Sequence, residues 1–228
     1  MNTIPPSSSS FVEFLLRCGA LRFGSFTLKS GRKAPYFINA GLFNTGDRIS
    51  TLGTYYAEKI KEFGWASEVA TIFGPAYKGV PLAVATATQL TEMLKRPVGY
   101  TFDRKEIKDH GDGGWLVGYP LTAGTPLVLV EDVVTAGTTL HHIIPLLREK
   151  TGAVVKGVIV AVDRREKGSS SSRSALDEAS EALEVPIKSI VTVHEIMNYV
   201  SSPQAGTHQL TPELLEQAHA YLKEYGAP

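Results

Sequence analysis

Cysteine is almost missing from the chain: Cys18 stands alone among 228 residues. Neither an intrachain disulfide framework nor a cysteine-built zinc site is therefore open to it, and a reducing compartment is expected. Charge of one sign is missing too. Lys plus Arg number 23 and Asp plus Glu number 23, so no global field exists to hold nucleic acid or an acidic membrane, and any anion must be bound locally. No apolar run approaches the roughly 18 residues of a membrane span, and the opening MNTIPPSSSS lacks the basic and then apolar order of a signal peptide. A cytoplasmic location is the expectation. At roughly 150 residues per domain, the length suggests one elaborated domain, and a hydrophobic fraction of 43% is that of a globular chain able to bury a core without staples.

What is present is an alternation. Val69–Phe73, Pro126–Val130, Val154–Val162 and Ile187–Val193 are short, β-branched and apolar on both parities, as parallel strands covered on both faces are. Helical stretches near Gly79–Leu94, Thr138–Lys150 and Ala175–Leu183 separate them, which predicts an α/β fold with a central, mostly parallel sheet flanked by helices. Val98–Phe102 adds a fifth strand. Residues 1–9, rich in Pro and Ser, predict a disordered lead-in. Ser10 with Glu13 predicts a capping box for a helix through Cys18. Residues 23–41 have the turn residues and aromatic alternation of a hairpin-like cap, and Thr211 with Pro212 starts an amphipathic terminal helix. Ser169–Ser174 reads as a surface connection.

In open α/β sheets, ligands bind beyond the carboxyl ends of the strands. After Pro126–Val130 come two adjacent carboxylates, Glu131 and Asp132, and then Val133, Val134, Thr135, Ala136, Gly137, Thr138 and Thr139. The small, hydroxyl-rich turn at a helix N-terminus is a phosphate cradle. The carboxylates repel phosphate but suit vicinal hydroxyls or a hydrated magnesium ion. A sugar phosphate meets both demands. An ordinary Thr-capped turn would explain Thr135 or Thr138 but not two acids ending a buried strand. After the first core strand, FGPAYKGVP (73–81) offers glycines for close backbone approach, with Tyr77 and Lys78, as a pyrophosphate turn. Residues 103–115 hold Arg104, Lys105, Lys108 and His110 among three carboxylates and then glycines, which permits a mobile lid.

Together LKSGRKAPYFINAGLFNTG (28–46), FGPAYKG (73–79), RKEIKDHGDGG (104–114), VEDVVTAGTT (130–139) and VDRRE (162–166) resemble the orotate phosphoribosyltransferases, of the type I phosphoribosyltransferase fold. The resemblance implies a magnesium-dependent homodimer that joins orotate to phosphoribosyl pyrophosphate in pyrimidine synthesis, with an N-terminal hood and active sites shared across the interface. It implies that residues 10–45 and the C-terminal elements form the base-binding cap. Lys29, Phe37, Ile38, Thr135 and Arg164 would meet orotate, with Lys29 also reaching the pyrophosphate substrate. Tyr77 and Lys78 would hold pyrophosphate, and Glu131–Thr139 would bind ribose and 5′-phosphate. Arg104, Lys105, Lys108 and His110 would belong to the lid, and Lys105, Lys108, His110 and Asp132 would carry catalysis. Ile38 stands where many members have a second Phe, and Glu131 where many have Asp. A sensor of phosphoribosyl pyrophosphate without catalysis is the rival from another class, and a purine-base transferase the rival among enzymes. His141 and His142 are adjacent and share no helix face, so they read as surface residues. Cys18 reads as a buried structural thiol.

Overall fold

The computed structural model describes residues 7–28, 31–108, 114–133, 137–168 and 172–227. The first helix, α1 (Ser8–Arg17), begins earlier than the Ser10 signal suggests. Ser7 is the cap, its hydroxyl accepting from the Ser10 N–H at 3.2 Å, while the Ser10 hydroxyl turns back to the Ser7 carbonyl. This start sets Phe11, Phe14 and Leu15 on the buried face. Residues 7–9 therefore belong to the helix and its cap rather than to a lead-in.

An antiparallel hairpin follows, β1 (Leu21–Thr27) and β2 (Lys33–Ile38), a two-stranded sheet of its own. Next comes α2 (Gly46–Glu62), which buries Leu52, Tyr56, Ala57 and Ile60, one face at helical spacing. The main sheet opens with β3 (Thr71–Phe73), shorter than the apolar run because the Val69 N–H is taken by the Trp65 carbonyl. α3 (Gly79–Leu94), β4 (Gly99–Lys108) and β5 (Gly114–Gly118) follow. Most of the segment read as a lid loop is thus strand. β4 and β5 pair antiparallel from Thr101↔Gly118 to Lys108↔Gly114, so 103–108 and 114–115 are arms of a ribbon. Residues 109–113 lie outside the described residues.

The chain continues through β6 (Pro126–Val133), α4 (Thr138–Thr151), β7 (Val154–Asp163), α5 (Ala175–Leu183), β8 (Ile187–Thr192), α6 (Val193–Ser201) and α7 (Pro212–Tyr225). α7 starts on the Thr211 cap with Pro212 in its first turn, as expected. Ser174 is buried and caps α5, so the end of the serine run is part of the core's edge rather than surface.

Six strands make the sheet in the order β5-β4-β3-β6-β7-β8, parallel except for β5. Alternation along the central strands feeds two cores. Ile72, Val128 and Val130 join the α1, α2, α3 and hairpin side, whereas Phe73, Leu127 and Leu129 join the α4 and α5 side. The chain leaves β3 toward β4 and returns to the other side of β3 as β6. The strand order therefore reverses between β3 and β6, and a crevice opens beyond their carboxyl ends.

Candidate active site

Two turns face each other across that crevice. After β3 the chain runs through Gly74–Lys78 and enters α3 at once. A Cβ on Gly74 would lie 2.0 Å from the Gly79 carbonyl oxygen, and one on Gly79 would lie 2.6 Å from Gly74. These glycines let the two ends of the turn touch each other. The Ala76–Tyr77 peptide is cis, and the Ala76 N–H donates to Asp103 Oδ1 at 2.6 Å. Asp103, on the base of the β4–β5 ribbon, so holds the turn. Tyr77 projects into solvent, 75% exposed.

Opposite, β6 carries the two carboxylates at its end. Asp132 Oδ1 accepts from the Val133 N–H at 2.8 Å, and Oδ2 lies 3.3 Å from Lys78 Nζ. That ion pair spans the crevice, with an exposed lysine and a largely buried carboxylate. Behind the strand, the buried Tyr56 hydroxyl of α2 donates to the Glu131 carbonyl at 2.7 Å. Burial, and then the neighbouring Asp132 charge, push the Glu131 carboxyl up to about 7. Gly137, at a φ of 67°, is the N-cap of α4, and among the described residues no side chain caps the helix. Thr138 and Thr139 stand exposed on the first turn.

Arg164 follows β7, the strand beside β6. Its guanidinium carbon sits 5.1 Å from the centre of the Tyr36 ring, and Nη2 is 2.6 Å from Glu166 Oε1. Burial opposes the Arg164 charge, but the nearby Tyr36 and Glu166 more than offset this, so its pKa rises further. Arg164 Nε and Nη2 and the Tyr36 hydroxyl are buried without a well-aligned hydrogen-bond partner among the described residues. A buried donor without an aligned acceptor is costly, and a substrate carboxylate would supply one.

The structure therefore brings Lys78, Glu131, Asp132 and Val133 together at the crevice, with Gly137, Thr138 and Thr139 opening the helix after it. Arg104 lies on β4 with Nε buried and without a hydrogen-bond partner among the described residues, and Lys105 is exposed beside it. The hairpin splits its two expected base contacts. Successive strand residues face opposite ways; Phe37 is 40% exposed and stacks on Phe26, while Ile38 shares the face of Tyr36 and packs on the core. Lys29, His110, Val134, Thr135 and Ala136 lie outside the described residues, as does the Lys108 side chain. His141 and His142 are exposed, as expected. Cys18 is only half-buried, and burial raises its thiol pKa.

Residues 42–191 match the family model of the phosphoribosyl transferase domain. An orotate phosphoribosyltransferase of Bifidobacterium longum is 50% identical over 223 residues, covering 95% of this chain and 96% of that one. One from Clostridium beijerinckii is 43% identical over 218 residues, with coverage of 95% and 96%. The chain belongs to the phosphoribosyltransferase family, and within it to the orotate phosphoribosyltransferases. The crystal structure of the Francisella tularensis orotate phosphoribosyltransferase superposes with a TM-score of 0.79 at 37% identity, covering 95% of this chain and 98% of that one.

The shared phosphoribosyltransferase segment contains both turns of the crevice and Arg164. It leaves out the hairpin and α7. Sequence reading passed over Tyr36, Tyr56, Asp103, Glu166 and Tyr221. Glu166 stood inside the quoted VDRRE motif, and Tyr36 beside Phe37, where strand alternation was the available signal. Nothing local marks Tyr56 or Tyr221, whose partners are 75 and 55 residues away.

Proposed function

We propose that the protein transfers the phosphoribosyl group of phosphoribosyl pyrophosphate to orotate, releasing pyrophosphate and forming orotidine 5′-phosphate for pyrimidine synthesis. The Lys78–Asp132 pair across the β3/β6 crevice carries the reading, because it sets a cation and a carboxylate where pyrophosphate and ribose hydroxyls would sit. The orotate ring nitrogen attacks the anomeric carbon as the bond to pyrophosphate breaks, through a transition state with oxocarbenium character. Lys78 and the ribbon cations Arg104, Lys105 and Lys108, with His110, meet negative charge growing on the leaving group. Glu131 and Asp132 hold the ribose hydroxyls and suit positive charge on the ring. The uncapped start of α4 faces the 5′-phosphate. Arg164 pairs with the orotate carboxylate.

Among the described residues no three His, Cys, Asp or Glu side chains gather as a metal cage. Glu131 and Asp132 fit a magnesium ion held mainly through substrate oxygens, where it would neutralise pyrophosphate charge. A homodimer is supported by an apolar groove lined by Ile49, Val80, Pro81, Val84 and Ala85, and a cytoplasmic setting by the lone free thiol.

Incubation of the protein with magnesium, phosphoribosyl pyrophosphate and either orotate or a purine base tests the substrate. Consumption of orotate alone is expected; consumption of a purine overturns the assignment. Arg164→Ala should raise the orotate KM at least about tenfold more than that of phosphoribosyl pyrophosphate, the value of a charge-assisted bond. For the dimer, Lys108→Ala and Asp132→Asn subunits, each nearly inactive, should regain roughly a quarter of wild-type activity when mixed under twofold symmetry. Subunit exchange verified by mass spectrometry with no regained activity would exclude shared sites.

A further inference from the structure

Around Arg164 lies a cluster that the reaction as described does not use. Glu166 Oε1 accepts from the Tyr221 hydroxyl at 2.8 Å and lies 2.6 Å from Arg164 Nη2, while Oε2 accepts from Arg32 Nη2 at 3.1 Å. Tyr221 belongs to α7. Arg32 belongs to the hairpin turn and stacks its guanidinium 4.9 Å over Tyr225, also of α7. The Tyr36 and Tyr221 rings meet edge to face at 5.9 Å, so Arg164, Tyr36, Tyr221 and Glu166 close a ring. Backbone bonds clasp the same place: Lys167 N–H donates to the Tyr225 carbonyl at 2.8 Å and Ala227 N–H to the Arg165 carbonyl at 2.6 Å.

One carboxylate thus faces two guanidinium groups, one of them on Arg32, 134 residues from Glu166 in sequence. Without it the two cations would repel each other, and the Arg164 side chain would lose its anchor. Glu166 engages one edge of Arg164 out of line, leaving Nε and Nη2 without an aligned acceptor. Tyr221 fixes the rotamer of Glu166 from the far side. Both the hairpin and α7 lie outside the segment shared with the wider phosphoribosyltransferase domain, which is where parts concerned with one base rather than with phosphoribosyl pyrophosphate belong.

We propose that Glu166 and Tyr221 are positioning residues for the base: Glu166 orients Arg164 toward the substrate carboxylate, and α7 sets Glu166 through the Tyr221 hydroxyl. The proposal rests on the orotate reading of Arg164. The C-terminal helix then acts in base specificity without touching the base.

Steady-state kinetics on the full chain test it, with Glu166→Gln, Glu166→Asp, Tyr221→Phe and Arg164→Ala compared with wild type. Glu166→Gln should raise the orotate KM about tenfold and Tyr221→Phe about threefold, each for one weakened polar contact, with the phosphoribosyl pyrophosphate KM within about twofold. Glu166→Asp should recover part of the loss. The preference for orotate over uracil, which lacks the carboxylate, should fall in the same order. A merely structural role would raise both KM values together and leave that preference unchanged, and either result overturns the proposal. Should Glu166→Gln fail to fold, Tyr221→Phe keeps the ring and removes only the hydroxyl, so its orotate KM decides. An Arg164→Ala variant with an unchanged ratio of the two KM values sinks the orotate reading itself. A shifted ratio there, with Glu166 and Tyr221 variants like wild type, sinks only the positioning proposal.

Discussion

The crevice between β3 and β6 and the cluster around Arg164 are built by opposite means. In the crevice, each functional residue sits within a few positions of a strand end, and main chain does much of the positioning: Asp132 is held by the next residue's N–H, and the turn after β3 by the contact of Gly74 with Gly79. Around Arg164, side chains from the hairpin, the end of β7 and α7 meet across long stretches of sequence. The first arrangement is shared by a family that handles one sugar phosphate. The second is free to change with the base, because it can be altered without moving the sheet.

The contrast can be broken most severely at Gly74. A methyl group there would overlap the Gly79 carbonyl, and backbone cannot swing aside as a side chain can. Gly74→Ala is expected to lower kcat/KM for phosphoribosyl pyrophosphate roughly a hundredfold, because displaced reacting groups lose alignment, and to cost about 1–3 kcal/mol of stability. Denaturant melts and kinetics measured together check both parts. Near-normal kinetics would mean that the turn is not positioned by backbone contact.

This difference also explains what could be read in advance. The β6 motif was legible because strand, carboxylates and helix start are consecutive, and the order of strands and helices followed from apolar runs. Tyr36 and Phe37 were harder, since only the pairing register with β1 decides which one points inward. Tyr221 was illegible, because its meaning depends on Glu166 lying beneath it in space. The 103–115 segment was legible only in part: its glycines and charges look like a loop, but backbone pairing of β4 with β5 extends to Lys108 and Gly114.

Asp132→Asn is a milder way to separate the two regions. It keeps the shape and the bond from the Val133 N–H but removes the charge facing Lys78 and the ribose hydroxyls. A loss of about 10- to 100-fold in kcat/KM for phosphoribosyl pyrophosphate is expected, from one charge-assisted contact, with the melting temperature little changed. On the other side, Arg164→Lys keeps charge but loses the planar fork and its stacking on Tyr36. The orotate KM should rise about five- to tenfold, with that of phosphoribosyl pyrophosphate nearly constant. A matching rise in both KM values would erase the distinction drawn between crevice and base cluster.

The last effect comes from Glu131, and it bears on stability. Its carboxyl, ordinarily at 4.5, is raised to about 7 by burial and by the Asp132 charge. Below pH 4.5 both folded and unfolded chains carry the proton, and the group makes no difference. Between 4.5 and 7 the unfolded chain ionises first and so binds fewer protons, so stability falls as pH rises; above 7 the full penalty remains. Glu131→Gln abolishes that dependence. The variant should therefore be more stable than wild type at pH 8, by on the order of 3 kcal/mol, the distance from 4.5 to about 7 at about 1.4 kcal/mol per pKa unit, and the gap should close toward pH 4.5. The same variant should bind phosphoribosyl pyrophosphate less well, because the charge that burial disfavours is one that ribose and its accompanying cation would use. Denaturant titrations at pH 5, 6.5 and 8 decide the matter. A pH-independent gap would place the Glu131 charge in solvent and remove it from the crevice.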